Sequence, residues 1–290
     1  MVNVGRIVLV SALRTALVSV LGTRLSAGAS SAQNYHKHTG KQPTEPPAPP
    51  VQTMLLLALK WKLLAAVAAL MAGQRYAKGS GGGSASAAVH ALDASAKKLA
   101  KAGGKRINLA TYTEGVELLM PAFTAYGRIF DNAARKDVLG NVEKLRKRSR
   151  ALDKKEGRAM VLAEAAADPA AVSAPDSAAR ALFWVNRIMH QIAASFQNLI
   201  DHRDRSFTRC ATDAYMATCA PYNLPAHRTM ARIMLNIIPD RAAFVKLYGF
   251  ETMDDLAPHL AAWIKASQPT RAGIDAFFAK HPHLAPARRY

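Results

Sequence analysis

Residues 137–144 read DVLGNVEK and place Asp137, Asn141 and Lys144 on one face of a helix. Asp137 and Asn141 are one turn apart, and Lys144 follows three residues later. The helices around this set are otherwise apolar. Two later stretches carry similar polar or aromatic exceptions. ALFWVNR, residues 181–187, contains Trp184, and APYNLPAHR, residues 220–228, is centred on Asn223. A carboxylate, two amides, an ammonium and an indole can together hold hydroxyls, N–H groups and the face of a ring. They do not form a nucleophile–base pair. The pattern is that of a head-group cradle, in a protein that holds a lipid and changes none of its bonds.

Working outward, apolar residues recur at i, i+3 and i+4, whereas alternating Val, Ile and Thr are scarce. This predicts an all-α chain. Val116, Leu119, Met120, Phe123 and Phe130 mark the apolar face of a first helix, broken at Asp131 and Asn132. A second helix carries the Asp137 set and ends in RKRSR, where cations suit a C-terminus. After an Ala/Pro loop near 168–175, the spacing predicts helices over 176–200, 206–220 and 226–238. Asp240 opens a short helix through Tyr248, and two more follow near 252–266 and 270–280.

Charge divides the chain. Residues 1–110 carry 14 Lys/Arg against 2 acids, and residues 111–290 carry 25 against 18. No basic stripe interleaved with aromatics and no zinc-finger spacing accompanies the excess, which argues against a nucleic-acid partner. Targeting and attraction to anionic lipid are the simpler account. Residues 1–35 contain Arg6, Arg14 and Arg24 and no acid, the pattern of a mitochondrial transit peptide; a secretory signal and an uncleaved anchor are the alternatives. Residues 36–50 are a Pro-rich linker. Residues 51–73 are long and apolar enough to span a bilayer, but Lys60 and Lys62 near their middle leave lying against a membrane or partner equally open; a helix packed on the domain is the plainer alternative. Residues 74–106, with GSGGGSAS at 79–86 and then an Ala- and Lys-rich run, read as a linker ending in a loose helix or tether. The folded domain is expected over 107–290. Cys210 and Cys219 are nine residues apart on one predicted helix, about 13 Å, which is too far for a disulfide and reads as two buried thiols.

In order and spacing, the first helix, DVLGNVEKL, ALFWVNR and the AY…APY stretch ending at a proline resemble the glycolipid transfer protein family over residues 108–250. The resemblance implies a two-layer helical sandwich around a collapsible apolar tunnel, with a sphingolipid or glycolipid head group held outside. Asp137 matches the family's acid for the ceramide amide and a head-group hydroxyl. Asn141 and Lys144 match residues that bind further hydroxyls, and Trp184 matches the indole on which the first sugar stacks.

The chain departs from that pattern at two places. The family's histidine position is taken by Asn223, with His227 four residues later and Pro225 where an aromatic is usual. Asn223 can still donate to a carbonyl, and His227 can substitute from the next turn; a turn or cap role for Asn223 is the plainer alternative. Arg180, one turn before Trp184, resembles the basic residues of relatives that bind ceramide phosphate. A head group with both hydroxyls and a phosphate would satisfy Asn141, Trp184 and Arg180 together. Asp137 with Lys144 or Arg180 also reads as a plain ion pair, and Trp184 as core.

The resulting expectation is sphingolipid or glycolipid binding and transfer at a mitochondrial membrane, with no catalysis, no metal and no cofactor other than the lipid itself. The alternative is an accessory subunit of a mitochondrial membrane complex that retains the fold.

Overall fold

The computed structural model describes residues 84–123, 128–236 and 238–286. The expected transit peptide at 1–35, the Pro-rich linker at 36–50 and the apolar stretch 51–73 lie outside the described residues. Among the described residues, ten α-helices and short 3-10 turns account for the regular structure, and the only β feature is an isolated bridge between Asn108 and Glu156. None of these helices is long and apolar enough to cross a membrane.

The helices are α1 (Ser84–Ala102), α2 (Leu109–Leu118), α3 (Met120–Phe123), α4 (Arg128–Ala151), α5 (Gly157–Ala167), α6 (Ala178–Asp201), α7 (Phe207–Thr218), α8 (Pro225–Leu235), α9 (Arg241–Leu247) and α10 (Met253–Lys280). Local chemistry sets several of the starts. Ser177, Ser206, Asp240 and Thr252 each turn a side-chain oxygen onto a backbone N–H of the first turn of α6, α7, α9 and α10. In one layer, α1 packs against α2 and α10; in the other, α6 packs against α4 and α7, and α6 meets α10 between them. Trp263, wholly buried in α10, ties the first layer together. Its Nε1 donates to Ser95 Oγ at 3.0 Å, and that hydroxyl donates to the Gly115 carbonyl at 2.7 Å. Phe196 of α6 meets the Trp263 ring edge-on at 5.6 Å.

Three sequence expectations are corrected. The tether expected before residue 107 includes α1, whose Leu92 and Leu99 are fully buried. Its inward stripe also contains Ala88, Ser95 and Ala102, residues small enough for close approach, while its lysines occupy the other face. Asp131 and Asn132 do not break a helix. They lie near the start of α4, and Phe130 belongs to α4 rather than to the first helix. Asp and Asn favour helix starts as readily as stops, so the signal was read at the wrong end. The two short helices near 252–266 and 270–280 are one, α10, with Pro258 and Pro269 inside it. Trp263, Ser267, Thr270, Arg271 and Ile274 form one buried stripe across Pro269, so tertiary packing holds the helix through the interruption. One turn earlier, the Ile264 carbonyl accepts from Ser267 Oγ and Arg271 Nη2.

Candidate functional site

A single cavity of about 570 Å³ gathers residues from α4, α6, α7, α8 and the loops joining them. All seven residues singled out in the sequence line it: Asp137, Asn141, Lys144, Arg180, Trp184, Asn223 and His227. Arg180 and His227 are exposed, Trp184 and Asn223 are half-buried, and Ile192 and Ser195 are buried. The cavity therefore has a polar mouth and a depth lined largely by Ile188, Ile192, Ala211, Met234 and Leu235.

At the mouth, the Asp137, Asn141 and Lys144 set is wired together along α4. Asn141 Nδ2 donates to the Asp137 carbonyl at 3.0 Å and reaches its Oδ1 at 3.4 Å. Lys144 Nζ donates to Asn141 Oδ1 at 3.4 Å and to the Pro175 carbonyl at 3.1 Å. Asp137 reaches solvent at the mouth, yet the surrounding walls strip part of its hydration. Burial therefore pushes its carboxyl up, against the opposing charge of Lys144 and the Asn141 hydrogen bond.

The opposite wall is the first half of α6, and its position is set from outside the site. Glu164 of α5 is buried and takes the Ala178 N–H at 2.8 and 3.0 Å on its two oxygens, and the Ala179 N–H at 3.3 Å. A carboxylate at a helix N-terminus satisfies orphan donors and opposes the helix dipole. Arg148 of α4 pairs with Glu164 at 3.2 Å and with Asp176 at 3.1 Å. This clamp fixes the loop that presents the Pro175 carbonyl and the helix that presents Arg180 and Trp184. Trp184 packs edge-on against Phe183, centroids 5.9 Å apart.

At the third corner, Asn223 caps the 3-10 turn Ala220–Tyr222 and donates from Nδ2 to Tyr215 Oη at 3.0 Å. Its carbonyl accepts from Arg228 Nε at 3.0 Å. Asn223 is thus both the turn residue and a member of the cavity wall. Burial pushes the Tyr215 phenol up, against the Asn223 hydrogen bond. Cys219 lines the same wall as a buried free thiol pushed up to about 12 by desolvation.

The sequence reading did not single out Pro175, Gln191, Ser195, Tyr215 or Cys219 as site residues. Gln191 and Ser195 had a detectable signal, since they repeat the Trp184 face at i+7 and i+11 within an apolar stripe. Tyr215 had none beyond its place in the AY…APY stretch. Among the described residues, no group of three or more His, Cys, Asp and Glu could hold a metal ion.

Residues 107–250 match the family model described as Glycolipid transfer protein (GLTP). The helical domain belongs to the glycolipid transfer protein family. Solved structures share its fold. The Arabidopsis accelerated-cell-death 11 protein, in a mutant complexed with ceramide-1-phosphate, aligns with TM-score 0.58 at 22% identity, covering 67% of this chain and 95% of that one. The human ceramide-1-phosphate transfer protein aligns with TM-score 0.59 at 15% identity, covering 66% and 97%. The fungal glycolipid transfer protein HET-C2 aligns with TM-score 0.53 at 21% identity, covering 60% and 86%. No curated protein matches the sequence of the chain. The structural likeness extends beyond 107–250, in keeping with α1 and α10 completing the glycolipid transfer protein domain.

Proposed function

We propose that this protein binds a sphingolipid or glycolipid and moves it between membranes without changing a covalent bond. The observation that carries this reading is the convergence of all seven singled-out residues on one cavity that is polar at its mouth and apolar in its depth. Two structural relatives are described with ceramide-1-phosphate bound and one as a glycolipid transfer protein. The mouth here suits either head group. Asp137 and Asn141 offer acceptors and donors to hydroxyls and an amide, Trp184 offers a ring face, and Lys144 and Arg180 offer charge to a phosphate. Chain burial supplies most of the affinity, at ~0.8 kcal/mol for each methylene that leaves water.

Transfer of labelled sphingolipids between vesicles tests the assignment. Asp137→Ala and Trp184→Ala should each slow transfer by about tenfold or more, since each removes one or more direct head-group contacts. Unchanged transfer in both variants would refute the head-group site. On sequence grounds we further propose a mitochondrial setting, carried by the acid-free, Arg-containing residues 1–35. Failure of these residues to direct a fluorescent protein to mitochondria would remove that part.

A further inference from the structure

The depth of the cavity is not uniformly apolar. Helices α6 and α7 run antiparallel and are held in register at two places. Asn198 Nδ2 donates to the Cys210 carbonyl at 3.0 Å, and the Cys219 thiol donates to the Arg187 carbonyl at 3.5 Å. Between these ties the register brings Tyr215 level with Gln191 and Ile192. Both Gln191 and Tyr215 line the cavity. Gln191 lies two turns, about 10 Å, beyond Trp184 on the same face of α6. Exposure falls along that face from Arg180 through Trp184 to Ile192 and Ser195, so this level lies below the mouth.

The Gln191 amide at this level, and the Tyr215 hydroxyl that reaches from it to Asn223 at the mouth, have unused hydrogen-bonding capacity. Tyr215 Oη accepts from Asn223 Nδ2, which leaves its own proton to donate. The Gln191 side chain makes no hydrogen bond within the described residues, so its amide offers both a donor and an acceptor. Ile188, Ile192, Ala211 and Leu235 line the same cavity. A saturated hydrocarbon at this level would displace water from both groups and return no hydrogen bond. A chain carrying an oxygen here would replace that water.

We infer that Gln191 and Tyr215 form a polar belt that reads an oxygen on the lipid chain, so that the cavity prefers sphingolipids with a chain hydroxyl. This rests on the lipid-binding reading above. It assigns Gln191 and Tyr215 as specificity determinants, with Asn223 positioning the Tyr215 hydroxyl.

The test uses the full chain and ceramide-1-phosphate and glucosylceramide in matched pairs. One member of each pair is unsubstituted, and the other carries a hydroxyl at acyl C2, at base C4 or in mid-acyl chain. Partition from phosphatidylcholine vesicles is measured for wild type, Gln191→Leu and Tyr215→Phe. At least one hydroxylated lipid should bind wild type roughly tenfold tighter than its partner, the worth of one buried polar group satisfied or left unpaired. The readout is that ratio, which should fall towards one in either variant. Gln191→Leu keeps the test decisive should Tyr215→Phe fail to fold. Equal binding of every pair by wild type, or a ratio that persists in both variants, would overturn the belt while leaving lipid binding intact. Failure of wild type to take up any lipid of either head group would overturn the underlying reading and the belt with it.

Discussion

Glu164 holds the site together from outside the cavity, and Glu164→Ala should cost about 3–4 kcal/mol of stability. Its carboxylate is only 3% exposed and faces the first turn of α6. The bond to the Ala178 N–H is shared between both oxygens and that to the Ala179 N–H is long, so together they amount to little more than one strong charge-assisted bond, ~2–3 kcal/mol. Truncation also leaves a void at a buried position, worth ~1 kcal/mol more. The Arg148 pair adds little, because Arg148 is 30% exposed and keeps Asp176 as a partner. Glu164→Gln preserves volume and one acceptor but loses the charge and turns an N–H₂ toward other donors; it should cost about half as much. Urea unfolding with an unchanged slope measures both. The lipid-transfer rate should fall further in Glu164→Ala than in a core variant of equal stability, because α6 presents Arg180 and Trp184. A cost below about 1 kcal/mol for the alanine variant, or none for glutamine, would refute the claim that a buried charge anchors this helix.

Three further outcomes are expected. A Cβ on Gly273 would lie 1.9 Å from the Gly104 carbonyl oxygen, so Gly273→Ala must part α10 from the loop after α1; a loss of about 3 kcal/mol should lower Tm by ~6–12 °C, and a fall under about 3 °C would contradict the close approach. Burial and the guanidiniums of Arg187 and Arg271 push His190 from 6.5 down to about 4, so the unfolded chain takes up a proton that the folded one resists. Stability should be full above about pH 6.5 and decline toward pH 4, by ~3 kcal/mol at most because Asp275 lies 2.8 Å from Nε2; the difference in Tm–pH profile between wild type and His190→Gln checks it, and parallel profiles would exclude the effect. Finally, Cys210 and Cys219 are buried with thiols pushed up, so at pH 8 neither should label in the folded protein and both should label after unfolding, followed by an aromatic disulfide reagent. Rapid labelling of Cys219 in the folded chain would show that the cavity wall opens freely.

What could be read from the sequence follows from how each signal arises. α6 and α7 were legible because long apolar stripes begin at serine caps, Ser177 and Ser206. α1 was not, because its buried face is built from Ala88, Leu92, Ser95, Leu99 and Ala102, and small residues contribute little to an apolar period. α10 was split because proline acts locally, whereas the stripe that carries the helix past Pro269 is a tertiary fact. The mouth of the cavity was legible because Asp137, Asn141, Lys144 and Trp184 are exceptions on apolar helices. Gln191 shows in sequence only as a polar exception on the Trp184 face, and Tyr215 looks the same as any core phenol. Only the antiparallel register of α6 and α7 places them at one level of one cavity.

That cavity also explains an unevenness in the packing. α8 buries only Leu235 fully, and Met230, Ala231 and Met234 on its inner face are half-buried against the cavity. Its start is no firmer, since Pro225 opens the helix and Leu224 supplies no side-chain cap. An isolated helix of this length is marginal in water, so α8 depends on what its apolar face meets. The other cavity helices are held by more numerous ties: Glu164 at the start of α6, and the partly buried Asn198 and Cys219 bonds between α6 and α7, with the Arg148 pair reaching α4. Under the proposed function this division has a physical use. The rigid walls hold the groups that recognise the head group. The lightly held wall carries flexible methionines that can move aside for a chain and then pack against it. Recognition and entry are thereby assigned to different helices, and the chain burial that drives affinity also completes the packing of α8.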